Sequence, residues 1–265
     1  MRILSGLSLL LAGAALNLPA QVRVEVPGTS GQINVSYTER SDEPQAARLQ
    51  ELAARLKPIA DQLNSLDRVD VVILHTEREL EQRLGAAGVG QLTGVSYIHG
   101  IFFVSPLTWE RNPTAEALEH EMQEALVRYA ALQLAGGNAL PGWLDQGLVA
   151  VLTKRPFATA TAEAVAQRAP LLLVRREAGD PAVGYWAVRY LMEERGGLVS
   201  LRQLLRLMAQ RPDSFVENLQ LTYGVPAGTL ERDWRQWLLQ LVETEREERE
   251  RGVRRGPLVR DRDRD

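Results

Sequence analysis

Three polar residues in one short segment have the types and spacing of a metal or catalytic site. His120, Glu121 and Glu124 read H-E-x-x-E inside residues 113–134, whose apolar residues recur at helical spacing. Side chains four residues apart on a helix share one face, so His120 and Glu124 are placed to reach one ion. Imidazole and carboxylate groups both bind zinc, and a carboxylate beside a metal-bound water can act as general base.

A second helix is predicted at residues 141–152, after a break that contains Gly136 and Gly137. The glycine pair suits the left-handed conformation that ends many helices. The new helix opens at Pro141 and reads P-G-W-L-D-Q-G-L, with Gln146 as its polar residue before the glycine. The sequence therefore predicts two helices separated by a short turn.

Together the two motifs resemble the peptidase MA-like family of gluzincins, which are zincin-like zinc metallopeptidases. That family carries H-E-x-x-H on one helix and P-x-W-h-x-E-G-h-A, where h is apolar, on the next. By this resemblance His120, Glu124 and Gln146 fall on the three metal-ligand positions, and Glu121 falls on the general base. The flanking positions are matched by Pro141, Trp143, Leu144, Gly147 and Leu148. The resemblance covers about residues 32–241.

Two of the three ligand positions depart from the family pattern. Glu124 stands in place of the second histidine, and Gln146 stands in place of a glutamate. An amide oxygen is a poor zinc donor compared with imidazole or carboxylate. The resemblance therefore implies a degenerate site for which we expect no bound cofactor, with zinc as the cofactor if the site is retained.

Other roles for the same polar residues stay open. Glu116, His120 and Glu124 recur at every fourth position and could hold a hard cation weakly through oxygen. The more ordinary arrangement is a polar helix face with Glu124 bonded to His120. The other two histidines, His75 and His99, could in principle supply a missing imidazole.

The pattern of apolar residues predicts an α+β fold: a small N-terminal sheet with helices, followed by a mostly helical C-terminal part. The resemblance implies that the N-terminal sheet and its helices are zincin-like. Strands are expected at residues 22–26, 32–37, 69–74, 94–98 and 101–105. Helices are expected at residues 44–66, 76–84, 113–134, 141–152, 161–168, 181–194, 198–209, 215–223 and 227–243. Pro58 should kink the first helix or mark a boundary within it.

Residues 1–20 read as a signal peptide, with Arg2 before an apolar run and a small-residue cleavage site at its end. The remaining chain divides into residues 21–155, the α+β part, residues 156–243, the helical part, and residues 244–265, a charged tail expected to be disordered. We expect an exported protein, periplasmic or secreted, with no transmembrane helix after signal cleavage.

Composition narrows the candidate partners. The chain of 265 residues has a net charge of -3, which argues against nucleic acid as a partner, and its lack of cysteine excludes disulfides and thiolate metal sites. In zincins a hairpin strand edges the cleft, and the resemblance gives that role to Gly94, Val95, Ser96 and Tyr97. A peptide or protein is therefore the expected partner in the cleft.

Two functions follow from the resemblance. The first is a catalytically degenerate binding or scaffolding module. The alternative is an active metallopeptidase with a rearranged site that uses Glu121 as its general base.

Overall fold

The computed structural model describes residues 22–24, 32–84, 94–97, 100–109, 113–154, 162–168 and 181–254. The expected signal peptide, His99 and residues 255–265 lie outside these ranges. No helix within the described ranges is both long and apolar enough to cross a membrane.

A mixed sheet forms the N-terminal part. Its strands are β1 (Val22–Val24), β2 (Ile33–Tyr37), β3 (Val69–Leu74), β4 (Gly94–Tyr97) and β5 (Gly100–Val104), in the spatial order β1-β2-β3-β5-β4. Strands β2, β3 and β5 are parallel, whereas β1 and β4 pair antiparallel at the two edges. The β-branched run of β3 is central, as predicted, and Val69, Val71 and Ile73 are completely buried.

Nine helices are described, and they dominate the C-terminal part. They are α1 (Glu43–Asp61), α2 (Glu77–Leu84), α3 (Ala115–Leu134), α4 (Gly142–Leu152), α5 (Ala162–Arg168), α6 (Pro181–Glu194), α7 (Gly197–Gln210), α8 (Phe215–Tyr223) and α9 (Ala227–Arg254). A small sheet followed by a run of helices confirms the predicted α+β class.

The first helix is shorter than predicted, ending at Asp61 rather than near residue 66. The carboxylate of Asp61 accepts a hydrogen bond from the backbone N–H of Leu66 at 3.0 Å, which draws the following residues into a turn. Pro58 lies inside the last turn of α1 and does not end the helix there.

The last helix is longer than predicted, since α9 continues to Arg254. Residues 244–254, which we expected to belong to a disordered tail, are therefore helical. Ion pairs between residues four apart support this extension, Arg246 with Glu250 at 3.4 Å and Arg251 with Glu247 at 2.7 Å.

One hydrophobic core joins the sheet to the helical part. Helices α1 and α3 pack with the sheet in this core, and α4, α6, α7 and α9 add buried side chains to it. A smaller cluster of Leu74, Leu80 and Val104 places α2 beside the ends of β3 and β5. Arg202 of α7 also donates to the carbonyl oxygen of Leu63 at 3.0 Å, tying α7 to the turn after α1.

Candidate functional site

Helix α3 carries the H-E-x-x-E motif and is fixed by a cap and by an apolar face. The Thr114 side chain accepts a hydrogen bond from the backbone N–H of Ala117 at 3.1 Å, so one of the free N–H groups of the first turn is satisfied. Leu118 and Met122 are fully buried on the inner face. The motif residues on the outer faces are therefore held at the surface of a well-anchored helix.

Helix α4 follows after the left-handed turn at Gly136 and Gly137, as predicted. Trp143 in its first turn is fully buried, and its ring lies edge-on to Phe215 with 6.2 Å between ring centroids. The tryptophan of the second motif therefore anchors α4 in the core.

The glycine of the second motif also has a packing role. A Cβ atom on Gly147 would lie well under 3 Å from the carbonyl oxygen of Gly184 in α6. A Cβ on Gly184 would similarly collide with the carbonyl oxygen of Trp143. The backbones of α4 and α6 thus touch where the two glycines face each other, which fixes how α4 is oriented.

Glu116, His120 and Glu124 form a polar stripe along α3, and two of its contacts differ from the predicted bond between Glu124 and His120. His120 Nε2 lies 3.5 Å from Glu116 Oε1, and these side chains are 34% and 84% exposed. Glu124 Oε2 instead accepts from Arg128 Nη1 at 3.1 Å. The carboxylate of Glu124 thus has the permanently charged Arg128, four residues later, as a partner, which we did not expect.

Arg128 connects the two motif helices. Its Nε donates to Asp145 Oδ2 at 3.1 Å, so the guanidinium lies between a carboxylate of α3 and a carboxylate of α4. Burial acts to lower the pKa of Arg128, but the charges of Asp145 and Glu124 outweigh it and raise the pKa above its usual range. The positive charge between these two carboxylates is therefore supplied by the side chain of Arg128.

Gln146, at the third ligand position, follows Asp145 in α4. Its Oε1 atom is buried and has no hydrogen-bond partner among the described residues. A buried acceptor without a donor costs about 1–3 kcal/mol, so this oxygen is a point where a donor would be stabilising. Glu121, at the general-base position, is half-buried on α3.

The donors present do not fit a zinc ion. Glu124 is engaged by Arg128, and Gln146 offers an amide oxygen. Over the ranges that the structure describes, no three side chains of the His, Asp or Glu types form a group that could hold a metal, so Glu116, His120 and Glu124 do not form one either. A guanidinium at this place would also repel a divalent ion.

The other histidine within the described ranges belongs to a different network. His75 follows β3, and its Nδ1 lies 3.1 Å from Asp42 Oδ2. Asp42 is completely buried and also accepts from the hydroxyl of Ser105, which follows β5, at 2.5 Å. The imidazole of His75 is therefore paired with the carboxylate of Asp42, near the C-terminal ends of the parallel strands.

The strand to which the resemblance gives a role in the cleft lies at one edge of the sheet. Gly94, Val95, Ser96 and Tyr97 form β4, which is an edge strand and pairs antiparallel with β5. Helix α3 packs against β4 more closely than against β5. One edge of the sheet therefore lies directly beside the motif helix.

Sequence reasoning missed Arg128 and Asp145, the two residues that join the motif helices. The spacing of Glu124 and Arg128 was a usable signal, because oppositely charged residues four apart on a helix commonly pair. No local pattern indicated that Asp145 completes the set, since that contact depends on the packing of α4 on α3.

A scan against protein-family models finds no match, and a search of curated proteins finds no match either. The resemblance to gluzincins therefore rests on the residues of the two motifs.

Proposed function

We propose that this protein is an exported, catalytically degenerate relative of the gluzincin metallopeptidases that binds an extended peptide or protein segment. The observation that carries the proposal is the pair of bonds from Arg128 to Glu124 and Asp145. The guanidinium of Arg128 binds one carboxylate of α3 and one of α4. These carboxylates would otherwise be available to a metal ion between the two helices.

The energetics favour this assignment over a weak zinc site. A divalent ion about 5 Å from a guanidinium is repelled by roughly 7 kcal/mol at an effective dielectric constant of ~20. Binding zinc through Glu124 would also break an ion pair that is only about one-quarter exposed. The amide oxygen of Gln146 is a poor zinc ligand, so its binding would not offset the loss of that ion pair.

The proposed binding site for a peptide or protein segment is the edge strand β4. An edge strand has backbone N–H and C=O groups that are available to another extended segment, and β-strand addition is a common mode of peptide recognition. Because α3 packs against β4, a segment added there lies near the polar stripe of the motif helix.

Zinc analysis tests the degenerate site. The protein, purified with its natural sequence, is dialysed against buffer with micromolar zinc and then against metal-free buffer, and its metal content is measured. We expect well below one zinc per chain. Stoichiometric zinc that survives dialysis would overturn the proposal.

Proteolysis separates this function from the alternative, an active metallopeptidase with Glu121 as general base. A mixture of unstructured peptides is incubated with the protein and analysed by mass spectrometry. We expect no cleavage. Cleavage that is abolished by Glu121→Gln and unaffected by Glu247→Gln on α9 would establish the alternative.

A further inference from the structure

A polar cavity of about 350 Å³ lies between the C-terminal end of α6 and one face of α9. Its volume falls within the range of about 300–1,000 Å³ that is usual for small-molecule sites. The residues that α9 contributes recur at helical spacing, so they follow one stripe of that helix. They are Asp233, Gln236, Trp237 and Gln240.

Arg195, the residue after α6, is held in place at one side of this cavity. Its Nε donates to the hydroxyl of Tyr190 at 2.6 Å, and its Nη2 donates to the carboxylate of Asp233. The guanidinium also lies 5.4 Å from the centre of the Tyr190 ring. These bonds use two of its five N–H groups, and the side chain is 27% exposed. An oriented guanidinium that can donate further hydrogen bonds is thus part of the cavity wall.

Three more polar side chains of the wall are available to a ligand. Glu194, Gln236 and Gln240 are exposed, and their side chains make no hydrogen bond or ion pair with another described residue. A carboxylate only accepts hydrogen bonds, whereas an amide both donates and accepts them. Donors and acceptors are therefore mixed within one cavity.

The charges of the wall disfavour a small ion as the ligand. Glu194 and Asp233 carry two negative charges and Arg195 carries one positive charge, so an anion would meet a net negative wall. A cation would compete with Arg195 for Asp233 and would leave the donors of the wall unpaired. A neutral ligand with several hydroxyl groups has neither disadvantage, because a hydroxyl can donate to a carboxylate and accept from a guanidinium or an amide.

We propose that the cavity between α6 and α9 binds a neutral sugar unit of a glycan. The sugar hydroxyls bond to Arg195, to Glu194 and to the amides of α9, and the C–H groups of the ring pack against the accessible part of Trp237, which is 9% exposed. Because the polar groups of the wall also bond to water when the cavity is empty, the affinity is weak, with a Kd on the order of 1 mM.

This site is separate from the proposed peptide site. The residues that line the cavity belong to α6, to its end and to α9, and they include none of β4 or α3. Loss of sugar binding would therefore leave the proposed binding of a peptide at β4 unchanged.

Saturation-transfer difference NMR of the full protein suits this range of affinity. The probes are neutral disaccharides of glucose, galactose, mannose and N-acetylglucosamine. Putrescine, glutarate and alanine serve as cationic, anionic and zwitterionic probes. We expect at least one disaccharide to bind more tightly than all three charged probes. Binding of no disaccharide, or tighter binding of a charged probe, would overturn the proposal.

Three variants locate the binding. Gln236→Ala removes an exposed amide from the cavity wall, and we expect it to weaken the disaccharide about threefold to tenfold. Glu194→Gln keeps the shape of the side chain but removes a charged acceptor, so it should weaken binding by a similar factor. Gln203→Ala, at an exposed position of α7 that does not line the cavity, is the matched control and should leave the affinity unchanged. Equal effects of Gln236→Ala and Gln203→Ala would place the sugar elsewhere and overturn the assignment of this cavity.

Discussion

Arg128 Nε donates to Asp145 Oδ2 at 3.1 Å and so bonds helix α3 to helix α4. The second donor bond, from Nη1 to Glu124, keeps the guanidinium oriented toward α4. Since the three side chains are 21% to 32% exposed, the network is screened less than a surface ion pair and more than a fully buried one. The guanidinium of Arg128 therefore adds a polar link between two helices that the hydrophobic core also holds together.

Replacing Arg128 by methionine should destabilise the fold. The substitution leaves Glu124 and Asp145 without their shared counter-ion at a partly buried interface. We expect the free energy of unfolding, measured by urea denaturation, to fall by about 2 kcal/mol. Arg246→Met, which removes a cation that is 70% exposed on α9, should change stability by less than ~0.5 kcal/mol.

A second substitution distinguishes lost charge pairing from lost packing. In the Arg128→Met background, Asp145→Asn removes one of the two carboxylate charges that Arg128 had neutralised, and it should recover part of the stability. If the double variant is no more stable than Arg128→Met alone, the network does not act through charge.

The contact of α4 with α6 gives a steric prediction. Gly147→Ala places a methyl group against the backbone of Gly184, and neither helix backbone can yield without moving. We expect a loss of about 3 kcal/mol in the free energy of unfolding, at the upper end for overpacking. Gly228→Ala is the control, because a Cβ atom there meets nothing within 4 Å and alanine favours the helix. Equal stabilities for the two variants would contradict the close crossing.

Local sequence patterns were sufficient to predict most of the described helices and strands. The bounds of α8 and β3 match the prediction, because each has an apolar periodicity that ends at clear turn residues. The length of α9 was underestimated because the charged extension has no apolar face, and only its spacing of opposite charges favours a helix.

The contacts of the candidate site could not be predicted in this way. Asp42 reads as a residue at a helix start, yet it is completely buried and bonded to His75 and Ser105, which follow two separate strands. The bond between Arg128 and Asp145 likewise joins residues on different helices. Such contacts are set by tertiary packing, which no local periodicity encodes.

The buried network of Asp42 predicts an effect on stability away from the motif helices. Asp42→Asn keeps the shape of the side chain but leaves one acceptor oxygen for two donors, Ser105 and His75. We expect the free energy of unfolding to fall by about 2 kcal/mol. Asp67→Asn, at an exposed position in the turn before β3, should have no measurable effect. Similar values for the two variants would show that the Asp42 network adds nothing to stability.

Tyr223 predicts a loss of stability in alkali. Its hydroxyl is buried with no partner among the described residues, and burial raises the pKa of Tyr223 well above its usual range. A group whose pKa is higher in the folded state than in the unfolded state stabilises the fold below the unfolded value, about 10, and this contribution is lost as pH rises further. Urea denaturation between neutral pH and pH ~11 should show a steeper loss for the natural protein than for Tyr223→Phe.

The same variant should not be destabilised at neutral pH. Phenylalanine removes a buried hydroxyl that makes no bond within the described part of the chain, so the free energy of unfolding should stay equal or rise slightly. A clear loss at neutral pH would indicate that the hydroxyl has a bonding partner.

Introducing the gluzincin ligand types tests the proposed relation to that family. Glu124→His with Gln146→Glu places the gluzincin ligand types at positions 120, 124 and 146. Arg128 still bonds to Asp145 in that double variant, and its charge opposes a divalent ion nearby. We therefore expect only weak zinc binding by calorimetry.

Adding Arg128→Met should then raise the zinc affinity by at least about tenfold, since the repelling cation is gone and the ligands are free to turn toward the metal. Arg246→Met in the same double variant is the control and should leave the affinity unchanged. A folded triple variant that still fails to bind zinc would show that residues 120, 124 and 146 do not converge, because charge and ligand type would both then be favourable. In that case the polar groups of α3 and α4 belong to an ordinary helix interface, and the proposed relation to metallopeptidases would lose its physical basis.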